Sequence, residues 1–327
     1  MSIRGTNAPL ASKAVAYTSQ GGPVVIQIVQ RDVRAPAANE VRIAVKAAAV
    51  NPTDLLLRDS HFRSHLVPAT ERPSLIVPGM DAAGIIESVG PGVSRLRPGE
   101  EVMAVVLPRR PDGGAYAEHI VAPAASVVPI PAGASLAEAS TLPMNGLTAL
   151  LALELAALKT GQVLAVSGGA GLLAHYAIAA AKHRGIKVVA DAKPGEAALV
   201  KSYGAEVVVE RGPCFTEATR KAFPEGVDAL LDTAVLGEKS FRAIRDGGIY
   251  IPVRGWGDQP SERGIKIKPV LVHEVLERTE WLEQLRDLVA AGAIKLRVAG
   301  EYSPEQTADA QSALAAGGLR GRPVILF

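Results

Sequence analysis

A glycine-rich turn between an apolar strand and a helix restricts the fold of this chain more than any other feature. The turn, Ser167-Gly168-Gly169-Ala170-Gly171-Leu172-Leu173-Ala174, fits Gly-x-x-Gly-x-x-Ala and follows the apolar segment 162–166. Residues without bulky side chains let the backbone bend tightly and let its N–H groups approach a pyrophosphate at a helix N-terminus. Asp191 closes the next apolar segment, 20 residues after Gly171. The pattern predicts a dinucleotide site, although small-residue turns also serve plain helix–sheet packing.

Beyond residue 135 the chain alternates between helices and continuously apolar strands. The segment Ser135-Leu136-Ala137-Glu138 matches a capping box, in which the serine accepts an N–H of the first turn and the glutamate reaches back. Apolar strands are predicted at 162–166, 187–190, 206–209, 229–232 and 248–253, and helices at 172–183 and 195–203. Such strands between helices are typical of a parallel sheet covered on both faces.

The first 135 residues follow a different pattern, with short strands separated by glycine and proline turns. Strands are predicted at 24–29, 40–45, 83–89 and 101–106. Many short strands with such turns indicate a small barrel-like β domain. From Trp281 onward the sequence predicts two helices and a last strand at 323–327.

Composition narrows the class of function. Lys and Arg number 35 against 33 Asp and Glu, a net charge of +2, and only 4% of residues are aromatic, which argues against a nucleic-acid or membrane-surface binder. The single cysteine, Cys214, excludes a disulfide framework within the chain and a four-thiolate zinc lobe. The longest apolar region, 147–158, contains Glu154 and predicts a buried helix. With no signal-peptide pattern at the start, we expect a cytoplasmic protein.

Several further segments carry a family resemblance. In order they are Asn51-Pro52-Thr53-Asp54, Pro78-Gly79-Met80-Asp81-Ala82-Ala83-Gly84, Gly90-Pro91-Gly92-Val93, Pro98-Gly99-Glu100-Glu101-Val102, Gly114-Ala115-Tyr116-Ala117-Glu118 and Leu142-Pro143-Met144-Asn145-Gly146-Leu147-Thr148-Ala149. Together with the glycine-rich turn they make the chain resemble a zinc-independent medium-chain dehydrogenase/reductase of the quinone oxidoreductase (zeta-crystallin-like) type. The resemblance covers nearly the whole chain and does not specify a substrate.

The resemblance implies an α/β protein of two domains. Residues 1–137 and 276–327 would form a catalytic domain with a GroES-like β-barrel. Residues 138–275 would form a Rossmann domain with a doubly wound parallel sheet. The coenzyme would lie in the cleft between them and transfer hydride from its nicotinamide.

The resemblance also implies which residues bind the coenzyme. The turn would hold the pyrophosphate through Gly168, Gly169, Ala170, Gly171, Leu172 and Leu173. Further contacts are expected from Asn51, Thr148, Ala234, Val235, Val253, Arg254, Gly255 and Arg322. Asn51 is expected near the nicotinamide ribose, Thr148 near the phosphates and Arg322 at the pyrophosphate. Two alternatives stay open: Asn51 as a helix N-cap before Pro52, and Arg322 as the solvated end of the last strand.

No zinc is expected. Zinc-dependent relatives carry a His-Glu pair where this chain has Met80-Asp81, and the only cysteine lies in the Rossmann half. Without a Lewis acid, reduction of a conjugated carbonyl is easier than oxidation of an alcohol, because the negative charge spreads onto an oxygen that needs only hydrogen-bond donors. The sequence therefore favours reduction of a quinone or an α,β-unsaturated carbonyl (enone).

The proton donor is less well defined. Many relatives carry Tyr or Lys five residues after the asparagine of the first motif, where this chain has Leu56. His61 and His65, in the following loop, are candidate acids, with Asn51 as a third candidate catalytic residue. The alternatives are that both histidines are solvated loop residues and that water delivers the proton. Asp54 and Tyr116 are interpreted as structural.

The preference between NAD(H) and NADP(H) depends on Asp191. A carboxylate on the ribose hydroxyls would favour NAD(H), since two like charges about 4 Å apart cost about 4 kcal/mol at an effective dielectric of 20. Asp191 falls one position before the usual acid, so its carboxylate can also point elsewhere. Ala192 then leaves room and Lys193 pairs with a 2′-phosphate. NADP(H) is favoured and NAD(H) is not excluded.

The segment 264–272 alternates as an edge strand does and contains Pro269. The resemblance implies that this strand, at 265–272, pairs with its mate in a homodimer. The alternative is an edge kept monomeric by Lys266, Lys268 and Pro269.

Two other functions stay open. One is a weakly catalytic, coenzyme-binding protein of the crystallin or sensor kind. The other is a zinc-free alcohol or aldehyde dehydrogenase, or an enoyl-thioester reductase.

Overall fold

The computed structural model describes residues 9–59, 75–254, 256–257 and 261–327. The chain divides into two compact units. Unit 1 contains residues 1–144, 276–287 and 296–327, and unit 2 contains residues 145–275 and 288–295. The roles expected for the two domains, with their boundaries after residues 137 and 275, stay a prediction.

The strands and helices of the described residues follow in chain order. The strands are β1 (Leu10–Ala16), β2 (Gln27–Val33), β3 (Glu40–Ala49), β4 (Asp81–Val89), β5 (Glu101–Val105), β6 (His119–Pro123), β7 (Val127–Pro129), β8 (Val163–Ser167), β9 (Lys187–Ala192), β10 (Val207–Glu210), β11 (Val227–Asp232), β12 (Ile244–Pro252), β13 (Lys266–Ile267), β14 (Val298–Tyr302) and β15 (Arg322–Leu326). The helices are α1 (Pro52–Arg58), α2 (Leu136–Ala139), α3 (Pro143–Ala156), α4 (Leu172–His183), α5 (Ala197–Tyr203), α6 (Phe215–Ala222), α7 (Thr279–Ala290) and α8 (Thr307–Ala316).

Unit 1 is built on a seven-stranded sheet in the order β14-β15-β3-β4-β5-β7, with β6 also pairing with β3, and on the hairpin β1-β2. Its core contains the fully buried side chains of Ile43, Ile86, Tyr116 and Ile120. In β4, Ile86 lies between half-buried Ile85 and exposed Glu87, as expected where one face of an antiparallel sheet is covered.

The strand expected at 24–29 is wrong in its first half. Residues Pro23–Val25 form a 3-10 turn, and β2 begins only at Gln27. Proline fixes its own φ and lacks an N–H, so it favours the start of a helical turn over a strand ladder. Val24, the first residue of the predicted strand, is 92% exposed.

Unit 2 is a parallel sheet in the order β10-β9-β8-β11-β12-β13. Numbered within the unit, this is the order 3-2-1-4-5-6 of a doubly wound dinucleotide-binding sheet. The strand order reverses between β8 and β11, the place where such sheets bind ligands at the carboxyl ends of their strands. The predicted Rossmann sheet is confirmed.

The edge strand expected at 265–272 lies at the edge of this sheet but is much shorter. Its regular ladder with β12 is limited to the two residues of β13, and residues Val272–Glu274 form a 3-10 turn. The N–H groups of Lys268 and Val270 still bond to the carbonyls of Tyr250 and Pro252. Pro269, between them, has no N–H to offer on the other side of the strand.

Across the described ranges, no helix has both the length and the apolar character needed to cross a membrane.

Candidate coenzyme and substrate site

The glycine-rich turn joins the end of β8 to the start of α4. Gly168 has φ +72°, and a Cβ there would lie 2.6 Å from Oγ1 of Thr233. A Cβ at Gly169 would lie 2.4 Å from the carbonyl oxygen of Asp191. Both positions therefore require glycine. Gly168 is needed for its positive φ and its close packing, and Gly169 is needed because β9 approaches closely.

The N-terminus of α4 is open to an anion. Its N-cap is Gly171, which has no side chain to accept a bond from the first turn. The N–H groups of the first turn, at Leu172 and Leu173, have no partner within the helix, and the helix dipole adds positive potential there. The residues present therefore fit a pyrophosphate, in agreement with the role expected of the turn.

Asp191 supports the turn from the neighbouring strand. Its carboxylate is 3% exposed and its Oδ1 accepts a hydrogen bond of 2.8 Å from the N–H of Gly169. Its Oδ2 lies 3.8 Å from Nε of Arg211. Burial raises the pKa of Asp191 above its ordinary value, and the Gly169 bond and the charge of Arg211 partly offset this. The carboxylate is directed at the turn and at Arg211, and its role at a ribose stays a prediction.

Two cations follow the ends of β9 and β10. Lys193 is exposed directly after β9, and the side chain of Arg211, directly after β10, is 41% exposed. The N–H of Arg211 donates to the carbonyl of Ala192 at 2.8 Å, which continues the pairing of the two strands. Sequence reasoning missed Arg211. The sequence feature that could have identified it is a basic residue directly after the strand that follows Asp191 in the chain.

Asp232 fixes the loop after β11. Its buried carboxylate accepts bonds from the hydroxyls of Ser167 (2.7 Å) and Tyr250 (2.6 Å) and from the N–H groups of Ala234 (3.2 Å) and Gly237 (3.0 Å). These contacts hold the loop beside the glycine-rich turn.

Val235, in that loop, has an unusual backbone. Its φ is +59° and its side chain is 45% exposed. For a β-branched residue this conformation is an outlier, and such strain is commonly found at functional loops. The prediction that Ala234 and Val235 line a coenzyme groove is supported by this strain and by their place next to the turn.

The remaining predicted coenzyme residues are more dispersed. Thr148 is buried on α3, Val253 is half-buried and Arg254 is exposed after β12. Gly255, His61 and His65 lie outside the described residues.

Asn51 lies in a buried polar network of unit 1. It is the N-cap of α1, so the interpretation of Asn51 as a helix cap before Pro52 is confirmed. Its Nδ2 donates to Oδ2 of Asp81 at 2.8 Å, and its Oδ1 accepts from Nε of Arg322 at 3.0 Å. Arg322 is therefore bonded to Asn51 through Nε.

Asp54 organises the same network. Its carboxylate accepts bonds from the N–H groups of Asn51 (2.8 Å) and Gly79 (3.0 Å) and from the hydroxyl of Tyr116 (2.8 Å). These contacts agree with the interpretation of Asp54 and Tyr116 as structural, which stays a prediction. Burial raises the pKa of Asp54 to about 6 and that of Asp81 to about 7. The positive charge of Arg322 lowers the pKa of both carboxyl groups and so partly offsets the effect of burial.

Within the part of the chain that the structure describes, no three His, Cys, Asp or Glu side chains are grouped as metal ligands. The absence of zinc stays an expectation.

Two family models match the chain. An alcohol dehydrogenase GroES-like domain matches residues 37–132, and a zinc-binding dehydrogenase matches residues 203–325. The first match lies within unit 1, so the expected GroES-like fold is confirmed.

Relatives extend over nearly the whole chain. The 2-methylene-furan-3-one reductase of Solanum lycopersicum is 31% identical over 97% of this chain and 79% of its own. The chloroplastic NADPH-dependent alkenal/one oxidoreductase of Arabidopsis thaliana is 28% identical over 97% of this chain and 80% of its own. The solved quinone oxidoreductase of Coxiella burnetii superposes with a TM-score of 0.80 at 25% identity, over 97% of this chain and 100% of that one.

The doubly wound sheet, the matched domains and the near-full-length relatives lead to one conclusion. The chain belongs to the quinone oxidoreductase family of the medium-chain dehydrogenases/reductases and is an oxidoreductase.

Proposed function

We propose that the protein reduces a quinone or an enone with NADPH. The observation that carries this proposal is the open N-terminus of α4 behind the glycine-rich turn, at the strand-order reversal of a Rossmann sheet. Two relatives support the substrate class, since one is named a reductase of a methylene-furanone and the other an alkenal/one oxidoreductase. The reduced nicotinamide supplies a hydride when it is bound.

The preference for NADPH over NADH is supported by the surroundings of Asp191. Its carboxylate is engaged by Gly169 and Arg211, so it does not present an unpaired charge to a 2′-phosphate. Arg211 and Lys193 supply two cations for that phosphate, and a guanidinium can bind it with two parallel hydrogen bonds. The Arabidopsis relative is itself named as NADPH-dependent.

The chain's own donors would stabilise the negative charge that forms on the substrate oxygen. Asn51 is the proposed donor among the described residues, and its contact with the nicotinamide ribose is part of the same proposal. His61 or His65 remains the proposed acid, with water as the alternative. We further propose that the enzyme works without zinc, for which metal analysis of the active protein is the test.

An assay of NADPH absorbance with 1,2-naphthoquinone, a linear enone and a crotonyl thioester tests the proposal. We expect oxidation with the quinone or the enone, and less with NADH in place of NADPH. Coenzyme binding without turnover of any substrate would favour a crystallin- or sensor-like protein. Preference for the thioester would favour an enoyl reductase, and either result would contradict the proposal.

We also propose a homodimer formed through the edge of the unit 2 sheet at β13. The support is the position of β13 at the end of the strand order and the exposure of Leu271, 46%, just beyond it. A cytoplasmic location stays a proposal from the sequence.

A further inference from the structure

The side-chain amide of Asn51 is held at both ends. Its Nδ2 donates to Asp81 and its Oδ1 accepts from Nε of Arg322. Asn51 and Asp81 are both 0% exposed, so water cannot replace either partner. A flipped amide would set its NH₂ group against the guanidinium N–H and its oxygen against the carboxylate. The two partners therefore permit a single orientation of the amide.

Asp81 is itself fixed. It begins β4, and its Oδ1 accepts a second bond, of 2.7 Å, from the N–H of Met144 in the first turn of α3. A half-turn of the carboxylate exchanges its two oxygens and leaves one facing each donor, Asn51 and Met144. A displacement of the carboxylate breaks one of these two hydrogen bonds. Asp81 is therefore a rigid acceptor for Asn51.

The buried position of Asp81 makes its ionised form electrostatically unfavourable. The ionised form of Asp81 is disfavoured by burial, and its interaction with the nearby Asp54 carboxylate acts in the same direction. A neutral side chain could cap the start of α3 without that penalty. Groups that reduce stability in a well-packed region are expected where geometry serves function.

We infer that Asp81 is a positioning residue of the reductase, which fixes the orientation in which the Asn51 amide meets the bound ligand. The inference rests on the proposed function, because it takes Asn51 as a ligand-binding residue. Asp81 itself would touch neither coenzyme nor substrate.

The variant Asp81→Asn tests the inference. Its amide has one acceptor and one donor end, so a donor–donor contact must form at Met144, at Asn51 or, if Asn51 flips, at Arg322. We expect kcat to fall at least about 10-fold, the effect of one misplaced charge-assisted hydrogen bond, with a smaller change in KM. The control Asp54→Asn removes a carboxylate from the same network but leaves both partners of the Asn51 amide, and we expect a smaller loss of kcat.

The exchange variant Asn51→Asp/Asp81→Asn separates positioning from folding. Its amide at 81 donates to the carboxylate at 51, which also accepts from Arg322, so every bond of the network can form and the net charge is unchanged. We expect the Tm lost in Asp81→Asn to return, while kcat stays low because position 51 no longer has an N–H donor. Recovery of kcat together with Tm would overturn the inference, as would a folded Asp81→Asn with wild-type kcat.

A readout without turnover separates this inference from the proposed function. The chain contains four asparagines, so ¹⁵N-asparagine labelling gives few side-chain amide signals, and the Asn51 signal is the one missing in Asn51→Asp. We expect that signal to move in Asp81→Asn and to keep its wild-type position in a surface control such as Lys201→Gln. An unmoved signal would overturn the inference. A moved signal in a protein that turns over none of the three substrates would contradict the proposed function and leave the orientation by Asp81 in place.

Discussion

Asp191 shows at the scale of one residue what the sequence can predict here. Its spacing from Gly171 correctly put an acid beside the glycine-rich turn. The direction of its carboxylate depends on Gly169 and on Arg211, which the parallel pairing of β9 and β10 brings alongside. Spacing along the chain carries no information about that register, so Arg211 was missed.

Arg211 is expected to determine coenzyme preference. Its replacement by alanine should raise the KM for NADPH about 10- to 100-fold, because a charge-assisted bond to phosphate is lost, and leave the KM for NADH nearly unchanged. Steady-state kinetics with both coenzymes measures the effect. Arg242→Ala, which removes another exposed arginine of unit 2, is the control. Equal losses for both coenzymes, or none, would contradict this role.

Val235 is expected to store strain. The variant Val235→Gly replaces a β-branched residue in the left-handed conformation with one that adopts it without strain. The strain energy that is relieved should exceed the extra conformational entropy that glycine loses on folding. We expect the unfolding free energy to rise by about 1 kcal/mol. Urea unfolding measures it, with Val207→Gly in β10 as a control that should lose stability. A loss in Val235→Gly equal to the control would show that the loop is unstrained.

The elements of unit 2 were predicted more completely than those of unit 1, although the helix α6 was not predicted. The helix expected at 172–183 matches α4 in both bounds, because a long apolar segment behind a glycine turn leaves few alternatives. The strands β1, β6, β7 and β14 were not predicted, since each includes alanine, glycine or proline and none shows a clear apolar alternation of its own. β13 was overpredicted because the alternation of the sequence continues to residue 272, whereas the regular ladder with β12 ends at Ile267.

The starts of α1 and α3 are expected to make stability depend on pH. The folded-state pKa values, about 6 for Asp54 and about 7 for Asp81, lie above the unfolded value of about 3.9. The folded state therefore binds more protons between about pH 4 and pH 7, and the contribution of these groups to stability falls as pH rises through that window.

The difference in unfolding free energy between the wild type and Asp81→Asn should accordingly depend on pH. We expect it to favour the wild type more at about pH 5 than at about pH 8, by at least about 1.4 kcal/mol, the equivalent of one pKa unit. Urea unfolding of both proteins at the two pH values gives this difference, in which the effects of titrating groups that do not interact with Asp81 cancel. A difference that is constant, or larger at the higher pH, would contradict the burial argument.

At the scale of the whole molecule, the exposed edge of the unit 2 sheet predicts a dimer. Light scattering at micromolar concentration should give twice the chain mass of 34.0 kDa. Leu271→Glu places a charge beside β13 and should yield monomer, whereas Val24→Glu, at an exposed position of unit 1, should not. A monomeric wild type would refute the dimer.

The central claim is that the first turn of α4 binds a pyridine nucleotide, and calorimetric titration with NADPH tests it most directly. Gly171 has φ −69° and ψ 161°, which any residue can adopt, and a Cβ there meets only the carbonyl oxygen of Gly168, at 3.1 Å. A contact this close needs a small shift of the backbone, so Gly171→Val should fold with a somewhat lowered Tm while its side chain fills the space in front of the helix. We predict saturable binding of NADPH by the wild type and binding at least about 10-fold weaker in the variant. No heat with either NADPH or NADH, or equal affinity in the two proteins, would contradict the account.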